Sequence, residues 1–231
     1  MRKILSIVIP AFNEERFIGT LLEQIAAVDL SAQGVDKEVI VVDDHSSDGT
    51  SDVVRRFPSV DLHRLERNSG KGRAVRAGME RATGDLLIIQ DADLEYDPRD
   101  YAAMVEELLS GRADVVYGSR YKNRGRHANQ SLTAYLGGRS LSVAALVCTG
   151  TYLTDTVTAL KLFPRDLLMS FTLTTSGFEL DHEITSKVLS RGKRIVEVPV
   201  RYYPRSRAEG KKIGWRDWVT GVRTFYRFRN G

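Results

Sequence analysis

One cysteine, six prolines and four histidines in 231 residues exclude several kinds of chemistry at the outset. The lone thiol, Cys148, permits no internal disulfide, and its apolar surroundings suit a small buried side chain in a reducing compartment. The histidines are scattered, without zinc spacing. No continuous apolar run reaches the roughly 20 residues that cross a bilayer. The opening Met-Arg-Lys-Ile-Leu-Ser-Ile-Val-Ile-Pro reads as a strand, being too short for a leader and lacking a cleavage site. A soluble or peripheral protein is expected. The sharpest absence is of acid: Val115 to Thr154 contains no Asp or Glu, while Arg120, Lys122, Arg124, Arg126 and Arg139 accumulate there.

The 42% of hydrophobic residues suffices for the core of one domain. A net charge of +4 conceals a polarity, because residues 1–100 carry 13 basic and 19 acidic side chains, against 21 and 11 in residues 101–231. The acidic front suits a cation site; the basic back suits phosphates or an anionic membrane surface.

Apolar runs at Ile4–Ile9, Glu38–Val42, Val60–Leu65, Leu86–Gln90 and Val115–Tyr117 read as strands. Helices are expected over Glu14–Val28, from Asp48 to Phe57, Gly72–Ala82, Pro98–Leu109 with Asp97 as cap, Gln130–Val147 and Phe178–Leu189. Such alternation implies a mostly parallel sheet between helices, with binding at the carboxyl ends of the strands.

The candidate site residues fall at those ends. Asp91 and Asp93, two apart, project to one side of an extended chain, with Ala92 between them leaving the approach open and Glu95 following. Magnesium or manganese takes one or two such carboxylates and completes its shell with water and substrate phosphate. Asp43 and Asp44 follow the second strand as acceptors for a nucleobase or ribose, or as caps of the next turn. Lys71, flanked by Gly70 and Gly72, opens a helix whose positive end favours an anion, without the full Walker pattern.

In this order and spacing, VIPAFNEE, VVDDHSSDGT, NSGKGRAVRAGMERATGD, QDADLEYDP and GSRY resemble the GT-A glycosyltransferases of family two. The stretches 155–163, 177–183, 197–205 and 209–217 are similar to those of the polyprenyl-phosphate hexose synthases, the dolichyl-phosphate mannose synthase group. That resemblance implies an α/β fold: a GT-A, Rossmann-like, mostly parallel sheet flanked by helices, with a basic carboxyl-terminal elaboration that binds the acceptor. Residues 1–231 would form one catalytic domain, 1–120 binding the nucleotide sugar and 121–231 the acceptor. It further implies a divalent cation, Mg2+ or Mn2+, held by Asp91 and Asp93 with Glu95 nearby, and inversion at the anomeric carbon. Donor contacts would come from Pro10, Ala11, Asn13, Glu14, Asp43, Asp44, Lys71, Asp91 and Ala92. Arg120, Arg205 and Lys211 match positions that group uses on acceptor phosphates; Asp93, Arg120 and Glu183 are its catalytic candidates, Glu183 either as a base or as an orienting group. The sequence departs from the pattern at His45, over Lys122–Gly138 and at Val157-Thr158-Ala159.

The acceptor decides the remaining chemistry. A hydroxyl needs a base, for which Asp181 or Glu183 would serve, whereas a polyprenyl phosphate oxygen is already anionic and needs positioning by Arg and Lys. The partners expected are a nucleoside-diphosphate sugar (GDP-mannose or UDP-glucose), a polyprenyl phosphate, a membrane surface at its cytoplasmic face and, in some arrangements, a separate membrane-anchoring subunit; nucleic acid is not expected. Segment 214–229, with Trp215, Trp218, Val219, Val222, Phe225 and Tyr226 among arginines, fits an interfacial helix or a core-packing one. A hydroxyl acceptor, a sugar nucleotidyltransferase and a non-enzymatic anionic-surface binder are the alternatives.

Overall fold

The computed structural model describes residues 2–122, 125–127, 130–204 and 215–230. Its centre is a seven-stranded sheet ordered β3-β2-β1-β4-β6-β5-β7. The strands are β1 (Lys3–Ala11), β2 (Val35–Asp43), β3 (Val60–Arg64), β4 (Leu86–Ile89), β5 (Val115–Ser119), β6 (Lys161–Pro164) and β7 (Ile195–Pro199). Leu5, Ile7, Val8 and Ile9 of β1 and all of β4 are buried, as expected where helices cover both sheet faces. Alternation sorts them: Leu5, Ile7 and Ile9 pack with one core, Val8, Leu87 and Ile89 with the other.

The helices are α1 (Ile18–Ala27), α2 (Thr50–Val54), α3 (Lys71–Arg81), α4 (Tyr101–Leu109), α5 (Leu132–Thr149), α6 (Arg165–Met169), α7 (Leu180–Ser190) and α8 (Trp215–Arg227). Asp97 accepts the Arg99 N–H at 3.0 Å and so caps the turn before α4 as expected. Strands β6 and β7 and helix α6 are not among the elements expected from the sequence.

Strand β6 runs antiparallel to both β4 and β5, pairing its first residue, Lys161, with Ile89 and Tyr117. A parallel strand brings its last residues to the carboxyl rim; an antiparallel one brings its first. Lys161 therefore reaches the rim where β1, β2, β4 and β5 end.

Helix α3 lies against β1 and β2 through Gly78, where a Cβ would come within 2.4 Å of the Val8 side chain and 3.2 Å of Val42. Helix α8 packs on α5 and α7, burying Thr224 and Phe225, with Phe228 buried just past its end, so one of its faces serves the core. His182 of α7 stacks on Phe225 at 4.8 Å, and its Nδ1 is buried without a hydrogen-bond partner among the described residues.

Two expectations follow. Gly78→Val should cost about 1–3 kcal/mol by overpacking, read as a lower urea midpoint at unchanged slope. Burial, only partly offset by Asp181, pushes the His182 imidazole down to about 4. Between its unfolded value near 6.5 and about 4 the unfolded chain binds more protons, so this group's contribution to stability is full above about 6.5 and is lost as pH falls to about 4. His182→Leu should therefore flatten the fall in urea midpoint across that window.

Candidate active site

Three residues just beyond the ends of β1, β2 and β4 adopt left-handed backbone: Asn13 (φ 57°), His45 (φ 63°) and Leu94 (φ 59°). Asn and His are enriched in this conformation, and His45 Nδ1 also lies 3.2 Å from the carbonyl oxygen of Leu65, 20 residues on. The departure from pattern at His45 thus falls where backbone conformation restricts the residue.

The first two loops are stitched together. The Asn13 side-chain carbonyl accepts the Ser47 N–H at 2.8 Å, while the Asn13 N–H donates to the Ser46 hydroxyl and the Glu14 N–H to the Thr50 hydroxyl, both at 2.9 Å. Pro10 and Ala11 pair with Val42 and Asp43 across β1 and β2. Asp43 is fully buried; it accepts the Ser46 N–H at 2.8 Å and the Ser51 hydroxyl, with Arg64 Nε at 3.8 Å. Asp44 accepts the Ser69 and Gly70 N–H groups, each at 2.7 Å. The structure thus brings Pro10, Ala11, Asn13, Glu14, Asp43 and Asp44 together, and both carboxylates fix the loops around them.

Asp44 shapes the approach to Lys71 from one side; the segment before α7 shapes it from the other. A Cβ at Gly70 or Gly72 would meet the backbone of Ser176 at 2.5 or 2.8 Å, and Gly70 has φ 89°, so glycine is required at the first of these on two counts. The Arg73 N–H donates to the Ser176 carbonyl at 3.2 Å, and Arg76 holds the Thr175 carbonyl.

Glu183 anchors that segment. Its carboxylate, fully buried, accepts the N–H and hydroxyl groups of Thr174 and Thr175 and the Lys187 ammonium at 2.7 Å. Burial would raise its pKa, but these donors outweigh burial and hold it below the ordinary carboxylate value. In this geometry the Glu183 carboxylate is occupied by two threonines and a lysine, which it holds in place.

Lys71 Nζ lies 2.8 Å from Asp91 Oδ1 and 3.4 Å from Asp181 Oδ2, and the other Asp181 oxygen takes the Lys161 ammonium at 2.6 Å. Four charges therefore alternate in sign from Lys161, which has no exposed surface, through Asp181 and Lys71 to Asp91 at the rim. Burial disfavours charge on Asp181, yet Lys161 and Lys71 more than compensate and bring its pKa down to about 2. Burial likewise opposes charge on Lys71, but Asp181 and Asp91 raise its pKa above the ordinary lysine value. Sequence reasoning missed Lys161; the available signal was a lysine inside the apolar run Ala159-Leu-Lys-Leu-Phe163, where only a paired charge is tolerable.

Across the rim, Arg120 at the end of β5 grips the fully buried Asp155 through Nε at 2.6 Å, Nη2 at 2.7 Å and its backbone N–H at 3.0 Å. Its guanidinium lies 5.2 and 5.1 Å from the ring centres of Tyr121 and Tyr202. Backbone N–H groups of Thr154 and Asp155 both donate to Glu197 at 2.8 Å, which locks the turn carrying Asp155. Arg205 and Lys211 lie outside the described residues.

Asp91 and Asp93 share the β4 loop, and the Lys71 ammonium on Asp91 shows that this carboxylate attracts a cation. Glu95 does not join them in a three-carboxylate cluster: its Oε2 accepts the Tyr202 hydroxyl at 2.9 Å, and no group of three or more His, Cys, Asp or Glu among the described residues is placed to hold a metal. Two carboxylates still fit an ion that takes most of its ligands from phosphate and water.

The model of the glycosyl transferase family 2 matches residues 6–168. Among curated proteins, the dolichol-phosphate mannosyltransferase of Pyrococcus furiosus is 28% identical over 216 residues, covering 90% of this chain and 59% of its own. The undecaprenyl-phosphate 4-deoxy-4-formamido-L-arabinose transferase of Aeromonas hydrophila is 32% identical over 215 residues, covering 90% and 63%. The chain thus spans about three-fifths of the length of these two relatives. The UDP-N-acetylglucosamine–dolichyl-phosphate N-acetylglucosaminyltransferase of Methanococcus voltae, 27% identical over 248 residues, is matched over 97% of this chain and 94% of its own. Among solved structures, glucosyl-3-phosphoglycerate synthase of Mycobacterium tuberculosis, in complex with Mn2+, UDP and glucosyl-3-phosphoglycerate, shares the fold with a TM-score of 0.74 at 20% identity, covering 98% of this chain and 80% of that one. On a sheet with these strand ends, and with the family match running from β1 into α6, the chain belongs to glycosyl transferase family 2 and has the GT-A glycosyltransferase fold.

Proposed function

We propose that the chain transfers a hexose, with inversion, from a nucleoside-diphosphate sugar (GDP-mannose or UDP-glucose) to the phosphate of a polyprenyl lipid at the cytoplasmic face of a membrane. The observation that carries the choice of acceptor is the state of Asp181. A carboxylate clasped by two lysines, with its pKa brought down to about 2, is a poor proton acceptor near neutral pH. A hydroxyl acceptor would need a base here; a phosphate does not. Relatives named for polyprenyl or dolichyl phosphates support the same choice.

In the reaction, an acceptor phosphate oxygen forms the bond to the anomeric carbon as the bond from that carbon to the diphosphate breaks, and the nucleoside diphosphate leaves with the electron pair. Pro10, Ala11, Asn13, Glu14, Asp43 and Asp44 shape the nucleotide pocket. Asp91 and Asp93 would hold a divalent cation, which supplies charge neutralisation to the departing diphosphate. Lys71, at the start of α3, adds a second positive charge on that side, and Asp181 and Lys161 fix where it sits. Arg120 presents its guanidinium to the acceptor phosphate; Arg205 and Lys211 are assigned to that phosphate on the sequence pattern alone.

Three measurements test this. In a panel of nucleotide sugars with Mn2+ or Mg2+, nucleoside diphosphate release from one donor should rise on adding a short polyprenyl phosphate and stop with chelator. If no donor responds to the lipid phosphate, the hydroxyl-acceptor enzyme replaces this account. Asp93→Asn should lower turnover by more than about 100-fold with the melting curve unchanged; near-normal turnover removes the cation role. Lys161→Met should cost about 3–5 kcal/mol of stability by leaving Asp181 buried with one partner fewer, and should lower kcat about 10- to 100-fold through Lys71. A variant that is destabilised but keeps its kcat would make Lys161 purely structural.

A further inference from the structure

Phe178 puts an open aromatic ring into a part of the rim otherwise made of charges and backbone. It lies in the turn before α7, is 38% exposed, and joins none of the apolar clusters of the described residues. Leu180, Ile184 and Val188 seat α7 on the core without it. A ring left this open forgoes much of what its burial would contribute to stability.

The backbone that carries the ring is nonetheless held on every side. Glu183 binds the N–H groups of Thr174 and Thr175, Ser176 abuts Gly70 and Gly72, and the Gly177 N–H donates to Glu179 Oε1 at 3.1 Å. The Asp181 N–H donates to the Phe178 carbonyl at 3.3 Å, so the turn runs on into the helix and sets residues 178 and 181 on one side. Both meet Lys71: Asp181 Oδ2 at 3.4 Å from Nζ, and the Phe178 ring centre at 5.8 Å. A cation gains from an aromatic face out to about 6 Å, so this contact stands at the limit of its reach. Asp91 and Asp181 already fix the ammonium, and holding Lys71 does not account for the ring.

We propose that Phe178 is the platform on which the transferred hexose lies, with the face of its ring against a C–H face of the pyranose. The inference rests on the nucleotide-sugar reading above, in which Lys71 marks the diphosphate; the hexose is the next group along the donor. A pyranose carries its hydroxyls around the edge and C–H bonds on its faces, and the negative face of an aromatic ring favours those hydrogens. It favours still more the positive charge that grows on the sugar as its bond to the diphosphate breaks, so part of the gain appears only in the transition state. The isoprenoid chain of the acceptor is the poorer occupant, because Phe178 stands beside Lys71, whereas the rings around Arg120 are those of Tyr121 and Tyr202.

Calorimetry of the full chain with Mn2+ and no acceptor tests this, comparing GDP with GDP-mannose and UDP with UDP-glucose in wild type, Phe178→Leu and Phe178→Trp. Leucine keeps an apolar side chain and removes the aromatic face; tryptophan keeps the face. Phe178→Leu should bind the nucleoside diphosphate within about twofold of wild type and the sugar donor about threefold or more weakly, and should turn the donor over, by transfer or by hydrolysis, about 5- to 30-fold more slowly. Phe178→Trp should recover most of both losses. Equal losses for the nucleoside diphosphate and the sugar donor would assign the ring to Lys71 and overturn the proposal. So would a loss confined to the KM of a short polyprenyl phosphate, or wild-type behaviour of Phe178→Leu throughout. A wild-type protein that binds none of the sugar nucleotides overturns the nucleotide-sugar reading along with this one. Donor binding without transfer to the lipid phosphate overturns the acceptor assignment alone, and the comparison of donor with nucleoside diphosphate still decides the role of Phe178.

Discussion

A lysine with no exposed surface cannot remain charged unless an opposite charge meets it, and Lys161 is such a residue. Asp181 meets it, and that carboxylate, with a second oxygen to satisfy, draws in Lys71. Lys71 in turn presents its ammonium to Asp91. The position of the Lys71 charge at the rim is thus set from the interior outward rather than by the flexible stem of Lys71 itself. Each member is held by the next, so removing an inner one leaves the outer ones without a fixed place. The direction of β6 makes this possible: on a parallel strand at that position, the first residue would lie at the opposite edge of the sheet.

The rim loops follow a related rule, in which carboxylates organise backbone before they meet any substrate. Asp43 binds the turn that follows β2, Asp44 the two N–H groups before α3, and Glu183 the pair of threonines that presses Ser176 onto Gly70 and Gly72. These carboxylates are acceptor-only groups with several lone pairs, which suits them to tie N–H groups from separate segments. Rigid loops are the precondition for a pocket that distinguishes one sugar nucleotide from another, because a misplaced donor loses more in the transition state than in the ground state.

Much of this was legible in the sequence, for identifiable reasons. The alternating strands and helices of the first half and the Asp97 cap follow from local periodicity, which a single sequence displays directly; the extended chain expected at Asp91 and Asp93 does not form, because β4 ends at Ile89 and the chain turns at Ala92 and Asp93. The Lys161–Asp181 and Arg120–Asp155 pairs are separated by 20 and 35 residues, and no local period connects them. Glu183 illustrates a different limit: an acidic residue on a helix looks the same whether its oxygens face a substrate or two threonine N–H groups. Glu95 is similar, since the tyrosine that takes its carboxylate lies 107 residues away. The constraint on His45 is conformational, φ 63°, which side-chain chemistry does not announce.

The cations of the site share one property that bears on how it handles anions. Arg120 and Lys71 are already stripped of most of their water, oriented, and paired with carboxylates of the chain itself. A phosphate arriving at either one meets a charge whose desolvation was completed during folding, so association requires adding to or exchanging an existing partner rather than dehydrating a mobile side chain. For Arg120 the planar fork, fixed by Asp155 and two tyrosine rings, keeps its orientation throughout. The same pairing keeps the rim from accumulating unbalanced positive charge, which would otherwise oppose folding. Internal ion pairs that look structural in isolation are therefore what keeps a strongly basic rim stable.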